Sequence, residues 1–279
     1  MDENFQIVST RGSMWHRWDP HIHAPGTALN DLYTGEDPWG DFLTKVENSD
    51  PPIRVLGITD YCGIDSYVET IGHRNSGRLS NVGLIFPNVE FRLSIETKKG
   101  SAINIHLLFS PEAVDHVERI RHFLDGLSFP YLGEVFRCNR ADLTRLGRVH
   151  NAQIINEVAA YSEGVKQFKI SLDSLRDAWK KSQWAQDNCL IAVAGSSGDG
   201  TAGLQGDGGQ WEATRKNIES LRTSSSQLIQ RQLISILERV LPHSKTLKPN
   251  GVVASPACMV RMHMKLIVSD YPTIRGVVG

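Results

Sequence analysis

Two histidines and an aspartate that stand close together near the start of the chain are the residues best suited to chemistry. They lie in the stretch Asp19-Pro20-His21-Ile22-His23. Positions i and i+2 of an extended strand point to the same face, so His21 and His23 would project together toward one metal ion. Imidazole suits zinc, manganese and iron, and the nearby carboxylate suits the harder ions among these. Because a chain with ten histidines can produce this spacing by chance, the prediction depends on partners farther along.

Three further polar residues lie at or inside apolar, strand-like runs: Asp60 after residues 53–59, Glu90 after residues 82–86, and His106 within Ala102–Phe109. Functional residues of βα folds collect at the carboxyl ends of strands, because those ends meet at one edge of the sheet. Burying an unpartnered histidine or carboxylate is costly, and coordination of a metal would remove that cost. The alternative is that His106 is a hydrogen-bonded core histidine and that Asp60 and Glu90 cap helices. Taken with the paired histidines, the five residues favour a metal site.

Strand-like and helical patterns alternate along the chain, which favours an α/β fold built on a parallel sheet or a barrel. A further strand is predicted at residues 189–194. One helix is predicted after Ser110 and Pro111, with Val114, Val117, Ile120 and Leu124 on one face. Another is predicted from Ser171, with Leu172, Leu175 and Trp179 on one face. Further helices are predicted around residues 154–159 and at residues 211–222 and 227–241.

Composition indicates a cytoplasmic globular protein. The chain has 279 residues, 40% hydrophobic and 22% charged, which is enough to bury a full core in one large domain. A net charge of −1 gives no indication of nucleic acid or an anionic membrane as partner. We expect no secretory signal and no membrane span. The four dispersed cysteines form no CxxC pair, which predicts free thiols rather than a zinc knuckle.

Taken in order, the motifs resemble those of the PHP (polymerase and histidinol phosphatase) superfamily of metal-dependent phosphoesterases. The stretches that carry the resemblance are Asp19–His23, Ile58-Thr59-Asp60-Tyr61, Pro87-Asn88-Val89-Glu90 and Asn104-Ile105-His106. The chain is most similar to PHP domains fused to an ATPase, the TrlF-like proteins, which carry a Trp-x-Arg/Lys-Trp-Asp sequence such as Trp15–Asp19 and a Thr-Asp-Tyr such as Thr59–Tyr61. The resemblance spans roughly residues 12–205.

The resemblance implies a distorted PHP-type (β/α)7-like barrel over residues 1–250, incomplete at its C-terminal end. It implies one to three divalent ions (Mn, Zn or Fe) with His21, His23, Glu90 and His106 as ligands, and with Asp60 as a ligand or a support for one. A metal-activated water would then hydrolyse a phosphate ester of a nucleotide or nucleic acid. An ATPase domain and a role in DNA repair or phage defence are implied by the family alone.

Two positions depart from the family pattern or add to it. Tyr61 stands where many members have histidine, and no third histidine follows His23 at the usual short distance, so fewer ions are expected. Arg92, two residues after Glu90, could contact a phosphate or form a surface salt bridge.

The last family motif, Ser-Asp-Ala-His, is missing from residues 251–279. Read back through the genetic code and shifted by two bases, Ala254–Lys265 permits that motif without conflict. We hypothesise that this tail is out of frame, which would remove two ligands and the final strand; codon degeneracy is the alternative, and the nucleotide sequence decides between them. A frameshift would impair both stability and activity.

The remaining features favour ordinary roles. The glycine-rich residues 195–209 lack the lysine of a nucleotide-binding loop and read as a surface loop. The basic residues between 215 and 239 read as a solvated helix face. Two rivals to the phosphoesterase are a non-catalytic sensing or scaffolding module once attached to an ATPase, and a structural α/β domain with incidental histidines.

Overall fold

A computed structural model describes residues 16–96, 102–193 and 216, and there the chain is a mixed α/β fold. Its strands are β1 (Arg17–Ile22), β2 (Ile53–Tyr61), β3 (Leu84–Glu96), β4 (Ala102–Phe109), β5 (Ser128–Tyr131), β6 (Glu134–Arg137), β7 (Lys169–Ile170) and β8 (Cys189–Val193). Its helices are α1 (Pro38–Glu47), α2 (Asp65–Asn75), α3 (His116–Asp125), α4 (Arg140–His150), α5 (Glu157–Gln167), α6 (Leu172–Lys181) and α7 (Gln183–Asn188).

The main sheet is mixed, with the strand order β1-β2-β3-β4-β8 and with β7 added to β3. Strands β1, β2 and β3 run parallel, whereas β4 is antiparallel to β3 and β8 is antiparallel to β4. Strands β5 and β6 form a separate hairpin. Within residues 16–96 and 102–193 the sheet stays open, with β1 and β8 at its edges, so the α/β class is confirmed and a closed barrel is not.

The two faces of the sheet are buried differently. The main core lies on one face, where Leu56, Ile58, Val89 and Ile105 pack with the apolar sides of the described helices. A small cluster of Val55, Leu84 and Phe86 lies on the other face, against Trp18 and Leu108. Glu90 belongs to this second face, because it follows Phe86 by four residues along β3 and strand side chains alternate between faces. The second face therefore carries Glu90 and, through its register with Glu90, His106.

The strand boundaries correct one expectation. Strand β4 has the predicted bounds, but β3 continues through Pro87 to Glu96, so Glu90 lies inside a strand instead of following one. Pro87 is tolerated because the pairing of β3 with β4 begins only at Asn88, so its missing N–H falls where that ladder ends. Strand β2 also runs two residues past its predicted end, to Tyr61, which pairs with Glu90 in register.

Side-chain caps mark the starts of α5 and α6. Ser171 caps α6 as predicted, since its side chain accepts the backbone N–H of Ser174. Helix α5 begins only after Asn156, whose side chain accepts the N–H of Ala159, and this leaves Ile155 and Val158 exposed.

Helix α3 also begins later than predicted, at His116. The imidazole of His116 forms hydrogen bonds with the Tyr67 hydroxyl and the Ala113 carbonyl oxygen, and these bonds anchor the first turn of α3. Val114 is consequently exposed, whereas Ile120 and Leu124 pack in the core as expected.

Several predictions fall on residues that lie outside the described ranges: the glycine-rich residues 195–209, the helices at 211–222 and 227–241, and the tail at 251–279. Among the described residues, Cys62, Cys138 and Cys189 are buried free thiols. In the same part of the chain, every helix is too short or too polar to cross a bilayer.

Candidate metal centre

The two paired histidines lie at the carboxyl end of β1, beside the second face of the sheet. His21 is near the last residue of β1 and is exposed, and His23 follows the strand and is half-buried. Strand β1 can approach β2 closely because Gly57 has no side chain: a Cβ there would lie 2.2 Å from the Pro20 carbonyl oxygen. This contact sets the position of the residue directly before His21.

Three side-chain atoms converge at this point. The Nε2 atoms of His21 and His23 are 3.2 Å apart, and Oε2 of Glu90 lies 3.4 Å from the first and 3.5 Å from the second. Ligands held at about 2.0–2.1 Å from a tetrahedral ion are about 3.3 Å from one another. The triangle therefore has the dimensions of three ligands of one cation, and the cluster can hold a metal ion.

The protonation of His23 is fixed by its other ring nitrogen. Its Nδ1 lies 3.1 Å from the Thr59 carbonyl oxygen, which can only accept, so Nδ1 carries the proton. Burial, followed by the neighbouring His21, lowers the pKa of His23 and keeps the ring neutral near pH 7. The Nε2 atom of His23 is thus a lone-pair acceptor that faces the triangle.

Glu90 is a buried carboxylate with one oxygen held and the other aimed at the imidazoles. Asn104 on β4 donates its amide to Oε1 at 2.6 Å. Oε2 is buried and faces the Nε2 atoms of His21 and His23 at 3.4 and 3.5 Å. Burial opposes the charge, but His21, His106 and His23 together outweigh it and lower the pKa of Glu90 to about 2. The carboxylate is therefore ionised at every pH where the protein would work.

His106 lies beside the triangle. It pairs with Glu90 in the β3–β4 register, and its ring centroid is 4.8 Å from that of His21. Its Nδ1 is 3.2 Å from Oδ1 of Asn88. The orientation of the Asn88 amide follows from its other end, where Nδ2 donates to the carbonyl oxygen of Pro20 at 3.0 Å. Nδ1 of His106 consequently carries a proton.

Asp60 is not brought to this cluster. It pairs with Val89, so its side chain points to the main-core face, opposite to that of Glu90. Its two oxygens accept the hydroxyl and the backbone N–H of Ser66, at 2.5 and 2.8 Å. Burial raises the pKa of Asp60 to about 6 despite these hydrogen bonds. The residue acts as an acceptor at the start of α2, which is the capping role weighed for it from the sequence.

Tyr61 occupies the place next to His23. Its ring stacks on the imidazole with centroids 5.3 Å apart and planes inclined by 8°. Its hydroxyl accepts a hydrogen bond from the Asn30 amide at 3.0 Å. A phenol thus covers one side of a candidate ligand at the position where the family pattern has an imidazole.

Two asparagines that hold the cluster, Asn88 and Asn104, received no role from the sequence. Each lies two residues before a predicted ligand, in a strand that is otherwise largely apolar. Because strand side chains repeat on one face every two residues, that spacing was the available signal. Thr59 also takes part twice, through its carbonyl to His23 and through its hydroxyl, which accepts from Asn88 at 3.0 Å.

Comparison with known proteins returns no relative for this chain: no protein-family model, no curated protein and no solved structure matches it.

Proposed function

We propose that this chain is a PHP-type, metal-dependent phosphoesterase domain that hydrolyses a phosphate ester of a nucleotide or nucleic acid. One observation carries the proposal: two imidazole nitrogens and a buried, ionised carboxylate oxygen face one another at 3.2–3.5 Å. Without a cation, one proton on Nε2 of His21 would have to form the hydrogen bonds to both Nε2 of His23 and Oε2 of Glu90. A divalent cation would serve all three atoms, which supports a metal centre over incidental histidines.

The residues around the triangle are suited to holding such an ion. Thr59 fixes the tautomer of His23, Asn104 holds Oε1 of Glu90 so that Oε2 faces the imidazoles, and Asn88 accepts the Nδ1 proton of His106 beside them. When bound, a divalent cation supplies Lewis acidity, which polarises a phosphoryl oxygen and makes water acidic enough to attack near neutral pH. We infer one ion at the triangle, His106 as a ligand of a second ion, and Mn, Zn or Fe as the metal.

The barrel is part of the same proposal. Each described helix contributes at least one buried side chain to the main core on one face of the sheet, while Glu90 and His106 lie on the other face. A barrel wall would have the same division, with helices outside and ligands inside, and this similarity supports the distorted (β/α)7-like fold as part of the proposal. We also infer a cytoplasmic setting, since three buried cysteines are free thiols.

A test of the proposal combines metal analysis with hydrolysis. Protein incubated with Mn²⁺ or Zn²⁺ should retain stoichiometric metal and cleave bis(p-nitrophenyl) phosphate. The double variant His21→Ala with His23→Ala should lose both properties, whereas His122→Ala, an exposed histidine on α3, should keep them. Hydrolysis that survives the double substitution would refute the assignment.

The rival sensing or scaffolding module is favoured by one observation, the stacking of Tyr61 on His23 where the family pattern has a further imidazole. The same experiment separates the alternatives. Stoichiometric metal without turnover supports the non-catalytic module, and absence of bound metal supports a structural domain.

A further inference from the structure

Arg92 lies next to the candidate metal centre on the same face of the sheet. It follows Glu90 by two residues on β3 and pairs in register with Asn104, the residue whose amide holds Glu90. Two residues of a strand span about 7 Å, which is within the reach of an arginine side chain. Arg92 is also placed beyond the end of β2, at the carboxyl edge of the three parallel strands.

The guanidinium of Arg92 is held without a negative partner. Its Nη1 donates to the Lys166 carbonyl oxygen at 3.4 Å, and its Cζ lies 5.6 Å from the centroid of the Tyr61 ring. No carboxylate of the described residues lies within ion-pair distance of it. The surface salt bridge considered from the sequence is therefore absent there, and the fork of donors is available to an anion.

Tyr61 links this cation to the metal centre. The Tyr61 ring stacks on the imidazole of His23, with centroids 5.3 Å apart, and the guanidinium of Arg92 also lies over the Tyr61 ring. The guanidinium of Arg92 and the candidate ligand His23 are thus both in contact with one aromatic ring.

We propose that Arg92 is the anion-binding group of the site and contacts a non-bridging oxygen of a substrate phosphate. This inference deepens the proposed function and rests on it: one phosphate oxygen would face the triangle of His21, His23 and Glu90, and another would face the guanidinium. Arginine suits this task because its planar donors match two oxygens of a tetrahedral phosphate. Tyr61 acts as a positioning residue that keeps the side chain over the site.

The test measures binding of inorganic phosphate by isothermal titration calorimetry, to Mn²⁺-loaded and to metal-free protein. Arg92→Gln should weaken phosphate binding by about ten- to hundredfold, the range for loss of a hydrogen bond to a charged group, and leave Mn²⁺ affinity unchanged. Arg92→Lys, which keeps the charge but loses the fork, should fall between wild type and Arg92→Gln. The matched control is Arg54→Gln at the other end of β2, whose Nη1 also donates to a backbone carbonyl, that of Asn81.

Each outcome decides the inference separately from the proposed function. Wild-type phosphate affinity in folded Arg92→Gln, no phosphate binding by the wild type, or an equal loss in Arg54→Gln would overturn the role of Arg92. A wild-type protein that binds no Mn²⁺ refutes the metal centre instead. In that case the metal-free titration still decides: phosphate binding that depends on Arg92 supports an anion site, and its absence overturns one.

Discussion

The glycine at position 57 offers a direct test of how strand packing sets the metal centre. A Cβ at this position would lie 2.2 Å from the carbonyl oxygen of Pro20 and 2.8 Å from the ring tip of Phe86. The phenyl ring can rotate, but the carbonyl is backbone and immediately precedes His21. Strand β1 would have to retreat by about 1 Å in Gly57→Ala to restore normal contact.

The expected magnitude follows from that displacement. Overpacking of this kind costs about 1–3 kcal/mol of stability. Metal–ligand distances tolerate errors of only about 0.2 Å, and both His21 and His23 move with β1 while Glu90 stays on β3. We therefore expect Gly57→Ala to weaken metal binding by about ten- to hundredfold, the range seen when the support of a ligand is lost.

The assay pairs a Mn²⁺ titration by calorimetry with urea denaturation of the metal-free protein. Gly147→Ala is the matched control, because a Cβ there would lie 1.9 Å from the Ala160 carbonyl oxygen between α4 and α5, among residues given no role in metal binding. It should lose at least as much stability and keep wild-type metal affinity. Wild-type metal affinity in Gly57→Ala, or an equal loss of affinity in Gly147→Ala, would refute the reasoning.

Two other predictions concern buried polar groups. The pKa of Asp60, raised from 3.8 to about 6, means that folding favours its protonated form, so its contribution to stability is greatest below about pH 4 and falls by about 3 kcal/mol as the pH rises past 6. The stability of wild type relative to Asp60→Asn, measured by urea denaturation, should decline by about 2 kcal/mol between pH 4 and pH 7. Asn88→Ala removes hydrogen bonds to Pro20, Thr59 and His106 and should cost about 3 kcal/mol in the same assay, because buried partners lose their contacts.

Each of these has a control and a contrary result. A relative stability of Asp60→Asn that does not change between pH 4 and pH 7 would show that the carboxyl has its ordinary pKa in the folded state. Asn81→Ala serves as the control for Asn88→Ala, since Asn81 is half-buried and its amide makes one hydrogen bond, to the Glu47 carbonyl oxygen at 3.2 Å. An Asn88→Ala variant that loses no more stability than Asn81→Ala would contradict a supporting role for Asn88.

Local sequence determined the orientation of side chains within each element. The His-x-His spacing predicted two imidazoles at one place, and their Nε2 atoms lie 3.2 Å apart. Ser171 marked the start of α6, because a cap depends on residues three positions apart. Where two starting points competed, as at Ser110 and His116, a contact with Tyr67 on another helix decided the outcome, and no local pattern contains that contact.

Pairing between strands was decided only by the tertiary structure. Strand periodicity predicts that Asp60 and Tyr61 point to opposite faces, but it does not show which face carries the site. The register decides this, because Tyr61 pairs with Glu90. The hydrogen bond from Asn88 to Pro20 joins residues 68 positions apart. The sequence identifies side chains that are able to bind a cation, because that ability depends on chemical type and spacing. Their convergence to 3.2–3.5 Å depends on the order and register of β1, β2 and β3, which are set by the packing of the whole sheet.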